Sequence, residues 1–308
     1  MNIRQIRYFV KVVAAGSMSK AAESVRLSQA ALGLQIRKLE AELGTPLLFR
    51  HSRGVVPTEE GRVLYERFLI ILREIDLTPQ FLAGLSGPPK GTVSLGVTAS
   101  MGLALVPALI HACPVKFPRV TLQLVEGVSE AILQGVEEGR LDLGLSGVRH
   151  DTGYLSCEPL TVEDMFLIGP RGHKAAGDKS IRLSEVVKHP LILPTANHPI
   201  RKLIDEALRK HHLTTTSVLE LDSVLLKKEL VLQSGMLTIL PYSAVHREHR
   251  NGSVFARAIA APRIVDTMYL VASNQRPRSR ATLAVQEQIH RSVEDLTKSG
   301  TWRWRPVS

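Results

Sequence analysis

Up to Leu43 the apolar positions recur with the period of a helix. Ile3, Ile6, Val10 and Val13 follow 3-4-3 spacing, with Phe9 at the edge of the stripe and Arg4, Arg7 and Lys11 opposite. Gly16 suits a helix end. Ser17 or Ser19 suits the cap of a second short helix over residues 20–25, and Ala21 and Ala22 permit close packing. Leu27 fills the turn and Ser28 caps a third helix. There Leu32, Ile36, Leu39 and Leu43 share one face, expected to be buried. The opposite face holds Ala30, Gly33, Leu34 and Arg37, with Gln29 in the exposed first turn. Residues 45–58 read as two short extended pieces around a basic turn. Thr58, Glu59 and Glu60 then open a long helix whose apolar positions run from Val63 to Leu77. It is too apolar to stand alone in water and is expected to bury itself against a partner. Pro79 is expected to kink or restart it, and residues 86–91, Ser-Gly-Pro-Pro-Lys-Gly, mark a boundary.

Beyond that boundary short apolar runs alternate with helical patterns. Strands are predicted at 92–97, 120–125, 141–145, 191–193, 218–221, 237–240 and 267–272, with helices at 101–112 and 129–138 among them. This predicts an α/β sheet of largely parallel strands.

Charge sharpens the first part. The 308-residue chain carries a net charge of +10, and residues 1–57 hold nine Lys/Arg against three acids, a net +6. A basic excess concentrated there fits a polyanionic partner. The chain as a whole has an ordinary globular composition, 44% apolar and 22% charged. Cys113 and Cys157 are far apart, so neither a metal site nor a disulfide framework is implied. The start of the chain lacks the apolar core of a secretion signal, and no apolar run of about 18 residues follows. The chain is expected to be cytoplasmic, with no membrane partner.

Two pieces of binding chemistry follow. A short helix, a turn and a second helix present the second helix to the DNA major groove. Ser28 starts that helix. Gln29 pairs with an adenine edge, Arg37 with a guanine or a phosphate, and Ala30 or Leu34 with a thymine methyl. Gly33 lowers helix propensity by about 1 kcal/mol relative to Ala; close approach to DNA explains it, and so does simple tolerance. The basic turn reads as a wing with Arg50 and Arg53 on phosphates. Many helix pairs do not bind DNA, and an ordinary surface hairpin has the same pattern.

In open α/β sheets ligands bind beyond the carboxyl ends of strands, at helix N-termini. That rule selects Ser100, Met101 and Gly102, then Ser129, Ser146, Thr195, Asn197 and Thr238. Each Ser or Thr alone also fits a helix cap. As a set they suit a small anion, a carboxylate, with His198 and Arg201 adding positive charge. No catalytic signature is present: Ser100 sits in Thr-Ala-Ser-Met-Gly rather than a nucleophile elbow, and the eleven histidines form no metal motif. No enzyme activity and no cofactor are expected.

The N-terminal run resembles the DNA-binding domain of LysR-type transcriptional regulators. The resemblance rests on Tyr8-Phe9, Gly16-Ser17, Ala21-Ala22, Leu27-Ser28-Gln29, Ala31-Leu32, Gln35-Ile36, Leu39-Glu40, Leu43-Gly44, Leu47-Leu48-Phe49-Arg50 and Thr58-Glu59-Glu60-Gly61. The His51-Ser52-Arg53-Gly54-Val55 wing is similar to the branch with nitrogen-assimilation regulators. Ala30 and Gly33 depart from the family's usual Pro or Ser and Ser, and Leu34 is more apolar than usual. The resemblance implies an all-α winged helix-turn-helix (1–58) and a linker and dimerisation helix (59–90). It also implies a type II periplasmic-binding-protein-like effector domain (91–308), with lobe I at about 91–163 and 266–308 and lobe II at about 164–265. Crossovers fall near Glu163 and Val265, and Ser100 and Thr195 correspond to effector-contacting positions. The implied partners are a double-stranded DNA operator, a small effector, further copies of the chain as a dimer or tetramer, and RNA polymerase. The alternative is a solute-binding-type protein without DNA readout.

Overall fold

The computed structural model describes residues 1–51, 54–84, 87–150, 153–177, 179–215 and 217–307, with side chains at all of these except 77, 80–84, 217 and 218. The chain divides into two units, Met1–Ala83 and Gly84–Ser308.

In the first unit α1 (Ile3–Ala15) starts on a capping box: Asn2 Oδ1 accepts from the Gln5 N–H and Gln5 Oε1 from the Asn2 N–H. It ends at Gly16 in the left-handed conformation. α2 (Met18–Ser24) is capped by Ser17 and α3 (Gln29–Leu43) by Ser28, whose hydroxyl oxygen accepts from the Ala31 N–H at 3.2 Å. The buried stripe of α1 is Gln5, Ile6, Phe9 and Val12: Ile6 and Phe9 are as predicted, while Ile3 is 47% exposed and Val10 and Val13 are only partly buried. The cause is Phe9, which is fully buried and packs edge-on against Phe68 at 5.8 Å, so the helix turns that side inward. In α3, Leu32, Ile36 and Leu39 are buried as predicted, while Leu43 lies at the helix end, 38% exposed. β1 (Leu48–His51) and β2 (Gly54–Pro57) form the antiparallel hairpin. A Cβ at Gly54 would stand 2.6 Å from the Gly16 carbonyl oxygen, so this hairpin can dock on the end of α1 only with glycine there. α4 (Glu59–Gly84) continues through Pro79, so the helix does not restart there. Phe68 and Leu72 fix it in the core, whereas Val63, Leu69 and Ile71 stay exposed.

The second unit starts with β3 (Gly91–Val97), α5 (Ala99–Lys116), β4 (Val120–Glu126), α6 (Ser129–Glu137) and β5 (Leu143–Ser146). By length and composition α5 is a helix that could cross a membrane, unlike anything expected from the sequence. It connects two adjacent parallel strands and buries Met101, Ala104, Leu105 and Leu109 against the sheet, which is the place of a crossover helix. The chain continues through β6 (Leu155–Pro170), α7 (Leu183–Val186), β7 (Leu191–Leu193), α8 (Pro199–Lys210), β8 (Ser217–Glu220), α9 (Val224–Ser234) and β9 (Leu237–Pro241). It ends with α10 (Tyr242–Arg250), β10 (Val254–Ala258), β11 (Val265–Ser273) and α11 (Arg280–Lys298). Among the described residues the strand order is β4-β3-β5-β11-β6-β9-β7-β8, with β10 on β6.

This sheet is mixed rather than largely parallel. β3 pairs parallel with β4 and β5, and β7 with β8 and β9. β11 and β6 run antiparallel to their partners. β6 is the reason. Its residues 155–164 pair with β11, then Met165–Ile168 turn to β9 and Phe166–Pro170 to β10. One strand thereby serves two lobes, each with its own apolar core. Lobe I is built on Leu95, Leu105, Leu143 and Val285, lobe II on Leu167, Leu193, Ile204 and Ile239.

Candidate nucleic-acid interface and interlobe cleft

On α3 the apolar face is closed and the other face is open. Leu32, Ile36 and Leu39 are fully buried, while Ser28, Gln29, Ala30, Leu34 and Arg37 are exposed. Gln29 does not hang free: its Oε1 accepts from the Ser19 hydroxyl at 3.1 Å, a bond from α2 that orients the amide. The sequence reading missed Ser19 in this role, having considered it only as a cap. Gly33 is corrected. It is buried, because the Arg50 side chain of the hairpin lies over it; a Cβ at Gly33 would be 3.9 Å from Arg50 Nη1. Arg50 itself is exposed and is 3.8 Å from Glu40 Oε2. Glu40 also accepts the Leu47 and Leu48 N–H groups, tying hairpin to helix. Arg53 lies outside the described residues. The surface offers a donor–acceptor amide, the Arg37 guanidinium and small or apolar contacts on one helix face, with the Arg50 guanidinium beside it on the hairpin, a set suited to base edges and phosphates.

The second unit has a cleft of about 520 Å³ between the lobes. Lobe I contributes Thr98 to Ser100 and Leu103 from the start of α5, and Glu126 to Ser129 from the start of α6. Lobe II contributes His198 to Ile200 at the start of α8, and Asp222 to Leu225 with Lys228 at the start of α9. Asp266 and Met268 come from β11. Of the residues expected in this site, Ser100, Ser129 and His198 line the cleft; the Ser129 hydroxyl accepts from the Gly147 N–H. The others are corrections. Met101 is fully buried in the lobe I core, and Gly102 faces Val97. Ser146 is fully buried and bonds to both the carbonyl and the N–H of Val148. Thr238 is fully buried and donates to the Ile192 carbonyl. Thr195 is committed to Asp222, Asn197 is exposed away from the lining, and Arg201 is held by Asp205, Glu220 and the Pro194 carbonyl. Side chains alternate direction along strands and rotate around helices, so adjacency to a strand end does not fix which way a residue faces.

The helix starts differ between the walls. The N-caps of α5 and α6, Thr98 and Val128, make no side-chain cap bond, and Thr98 Oγ1 is buried without a partner among the described residues. In lobe II, His198 Nδ1 accepts the Ile200 N–H and Ser223 Oγ the Leu226 N–H. That bond places the proton of neutral His198 on Nε2, and burial, then Lys227, pulls its pKa below the ordinary histidine value. Asp222 is pushed up by burial, but the Thr195 N–H and hydroxyl, with His198 and Lys227, outweigh this and hold it below the usual carboxylate value. Lys227, buried beside it, is pulled down to about 8 by desolvation. Lys228 is bridged to Glu248 at 2.6 Å. Asp266 is 7% exposed and burial pushes it up to about 7. Across the strand pair it faces Glu163, which burial raises to about 8 against the two bonds from Ser243. The sequence reading missed Asp222, Lys228 and Asp266. Among the described residues no cluster of metal-ligating side chains occurs.

Comparison with known proteins is consistent along the chain. Residues 3–62 match the model of the bacterial regulatory helix-turn-helix protein, LysR family, and residues 86–294 match the LysR substrate binding domain. The nitrogen assimilation regulatory protein nac of Klebsiella aerogenes is 30% identical over 245 residues, 79% of each chain. The nac protein of Escherichia coli is also 30% identical, over 247 residues. Among solved structures, a full-length OxyR variant from Pseudomonas aeruginosa shares the fold with a TM-score of 0.71 at 23% identity, over 94% of this chain and 98% of that one. Full-length CbnR complexed with its target DNA matches with a TM-score of 0.57 at 21% identity, over 95% of this chain and all of that one. With its helix-turn-helix unit and its two-lobed substrate-binding-type domain, the chain belongs to the LysR family of DNA-binding transcriptional regulators.

Proposed function

We propose that this regulator reads a dyad-symmetric operator with α3 and the hairpin, under the control of a small effector with an anionic group, a carboxylate, bound between the lobes. The observation that carries the reading is the exposed face of α3, where Gln29, Ala30, Leu34 and Arg37 stand in water above a closed core. A rigid helix with polar and small side chains turned outward is what base readout needs. Ser28 starts that helix, Arg50 supplies a phosphate contact across Gly33, and Arg53 belongs to the same wing. In the cleft the uncapped starts of α5 and α6, with Ser100 and Ser129, support an anion. The exposed Val63, Leu69 and Ile71 of α4 support pairing with a second copy, as dimer or tetramer. Effector binding shifts the lobes and so changes how DNA is held, with RNA polymerase as the downstream partner and the cytoplasm as the location. Selection of genomic fragments by the purified chain, followed by footprinting, tests this. The expected result is a repeated, two-fold symmetric site. Retention of all fragments alike would overturn the reading.

A further inference from the structure

The two walls of the cleft have opposite polarity. Lobe I presents helix starts whose first N–H groups no side chain closes, together with the unpartnered Thr98 hydroxyl. Lobe II closes its helix starts with His198 and Ser223 and presents Asp222 instead. Between them Asp266 is more than nine-tenths buried and lines the cleft. Among the described residues it accepts only from the Thr267 backbone N–H. Gly147 leaves room for it: a Cβ there would stand 3.1 Å from each Asp266 carboxyl oxygen. Glu126, at the end of β4, adds a third carboxylate to the lining. The positive side chains do not match this. Lys228 is paired with Glu248, Lys227 is buried beside Asp222, His198 is neutral, and no arginine lines the cleft among the described residues. The space between the polar ends is apolar, with Leu103, Val128, Ile200, Leu225 and Met268.

A ligand that draws the lobes together must satisfy both walls. A simple carboxylate meets the lobe I helix ends but offers no donor to the exposed, Thr195-bonded Asp222 or to the buried Asp266 carboxyl, and burying a polar group without a partner is unfavourable. We infer that the effector is a zwitterion with an apolar body, an α-amino acid or a close relative, its carboxylate on the starts of α5 and α6 and its ammonium on the side of Asp222 and Asp266. This rests on the proposed effector role of the cleft and names the class of molecule it takes.

The test is thermal stability of the full-length chain with matched trios. L-phenylalanine is compared with 3-phenylpropanoate and 2-phenylethylamine, and L-leucine with 4-methylpentanoate and 3-methylbutylamine. At least one amino acid is expected to raise the melting temperature by several degrees at millimolar concentration, with its deamino and decarboxy partners at least roughly tenfold weaker. Asp222→Asn should lower amino-acid affinity by roughly tenfold or more while leaving the deamino acid unchanged. Asp266→Asn should do the same; it breaks no side-chain bond, so it keeps the test valid should Asp222→Asn unfold lobe II. Deamino acids that bind as well as their parents would overturn the zwitterion and leave the cleft an effector site. Failure of both amino acids to bind, or variants that leave the ratio unchanged, would also overturn it. Failure of the effector role itself looks different: a ligand that stabilises the chain yet leaves the operator footprint unaltered.

Discussion

α3 in the first unit and α5 with α6 in the second all point helix starts at a proposed ligand, yet they handle the free N–H groups in opposite ways. Ser28 caps α3, so its backbone is closed and recognition falls to side chains in water. α5 and α6 leave the backbone open, and recognition there falls to N–H groups, to the Asp222 carboxylate and to Asp266, whose carboxyl is buried enough to be pushed towards neutrality. The first arrangement reads a surface much larger than itself and responds to salt. The second encloses a small molecule and responds to protons.

Phe9→Ala gives the largest effect and breaks the comparison into its halves. Phe9 is fully buried against Phe68 at the centre of the first core. Its removal should cost about 3–5 kcal/mol in that unit. Operator binding should disappear while any cleft ligand still raises the melting point of the second unit. Loss of both activities together would show that the two sites are not independent.

Next comes pH. Glu163 is raised to about 8 from an ordinary 4.5, and Asp266 to about 7 from 3.8. The folded chain therefore holds protons that the unfolded chain releases above about pH 4–5. Stability should be greatest at the acid end of that window and fall as pH rises towards 8, then level off. Glu163→Gln should remove much of this slope, roughly 2–4 kcal/mol across the window, measured by urea unfolding at several pH values. An unchanged slope would mean that Glu163 is ionised in the fold and that the pH dependence arises elsewhere.

Gln29→Ala follows, at roughly 1–3 kcal/mol on the selected operator and little on random DNA. Equal losses on both would reduce Gln29 to a phosphate contact. Ser28→Ala should cost about 1 kcal/mol of stability through the lost cap. Its melting curve would show whether α3 needs the closed start that α5 and α6 lack.

The two sites were also unequally legible. The α3 face lies within one continuous helix, where one period separates Leu32, Ile36 and Leu39 from the residues left in water. The cleft is gathered from chain segments as far apart as Thr98 and Met268, and only the folded sheet brings Asp222 and Asp266 to Ser100. β6 is absent from the predicted strands: Glu158, Glu163, Asp164 and two prolines interrupt the apolar pattern that marks a strand, although Glu163 is buried at the very point where the strand passes between lobes. Thr238 and Ser146 were chosen by type and position; their hydroxyls close backbone groups in the core instead. Direction failed because it depends on tertiary packing, and the order of strands failed at β6 and β10.

The smallest effect is the most discriminating for the DNA face. Gly33 reads from sequence as either a close approach to DNA or a tolerated weakness. Its Cβ position is in ordinary contact with Arg50 Nη1 at 3.9 Å, with no clash. Gly33→Ala should therefore raise the stability of the first unit, by up to about 1 kcal/mol from helix propensity. If Arg50 alone needs the space, operator affinity should hold and its salt dependence should change by less than one unit of slope, because the guanidinium moves only slightly. If the DNA itself approaches Gly33, affinity should fall while stability rises. The two measurements on one variant separate a helix that is slim for its hairpin from one that is slim for its operator.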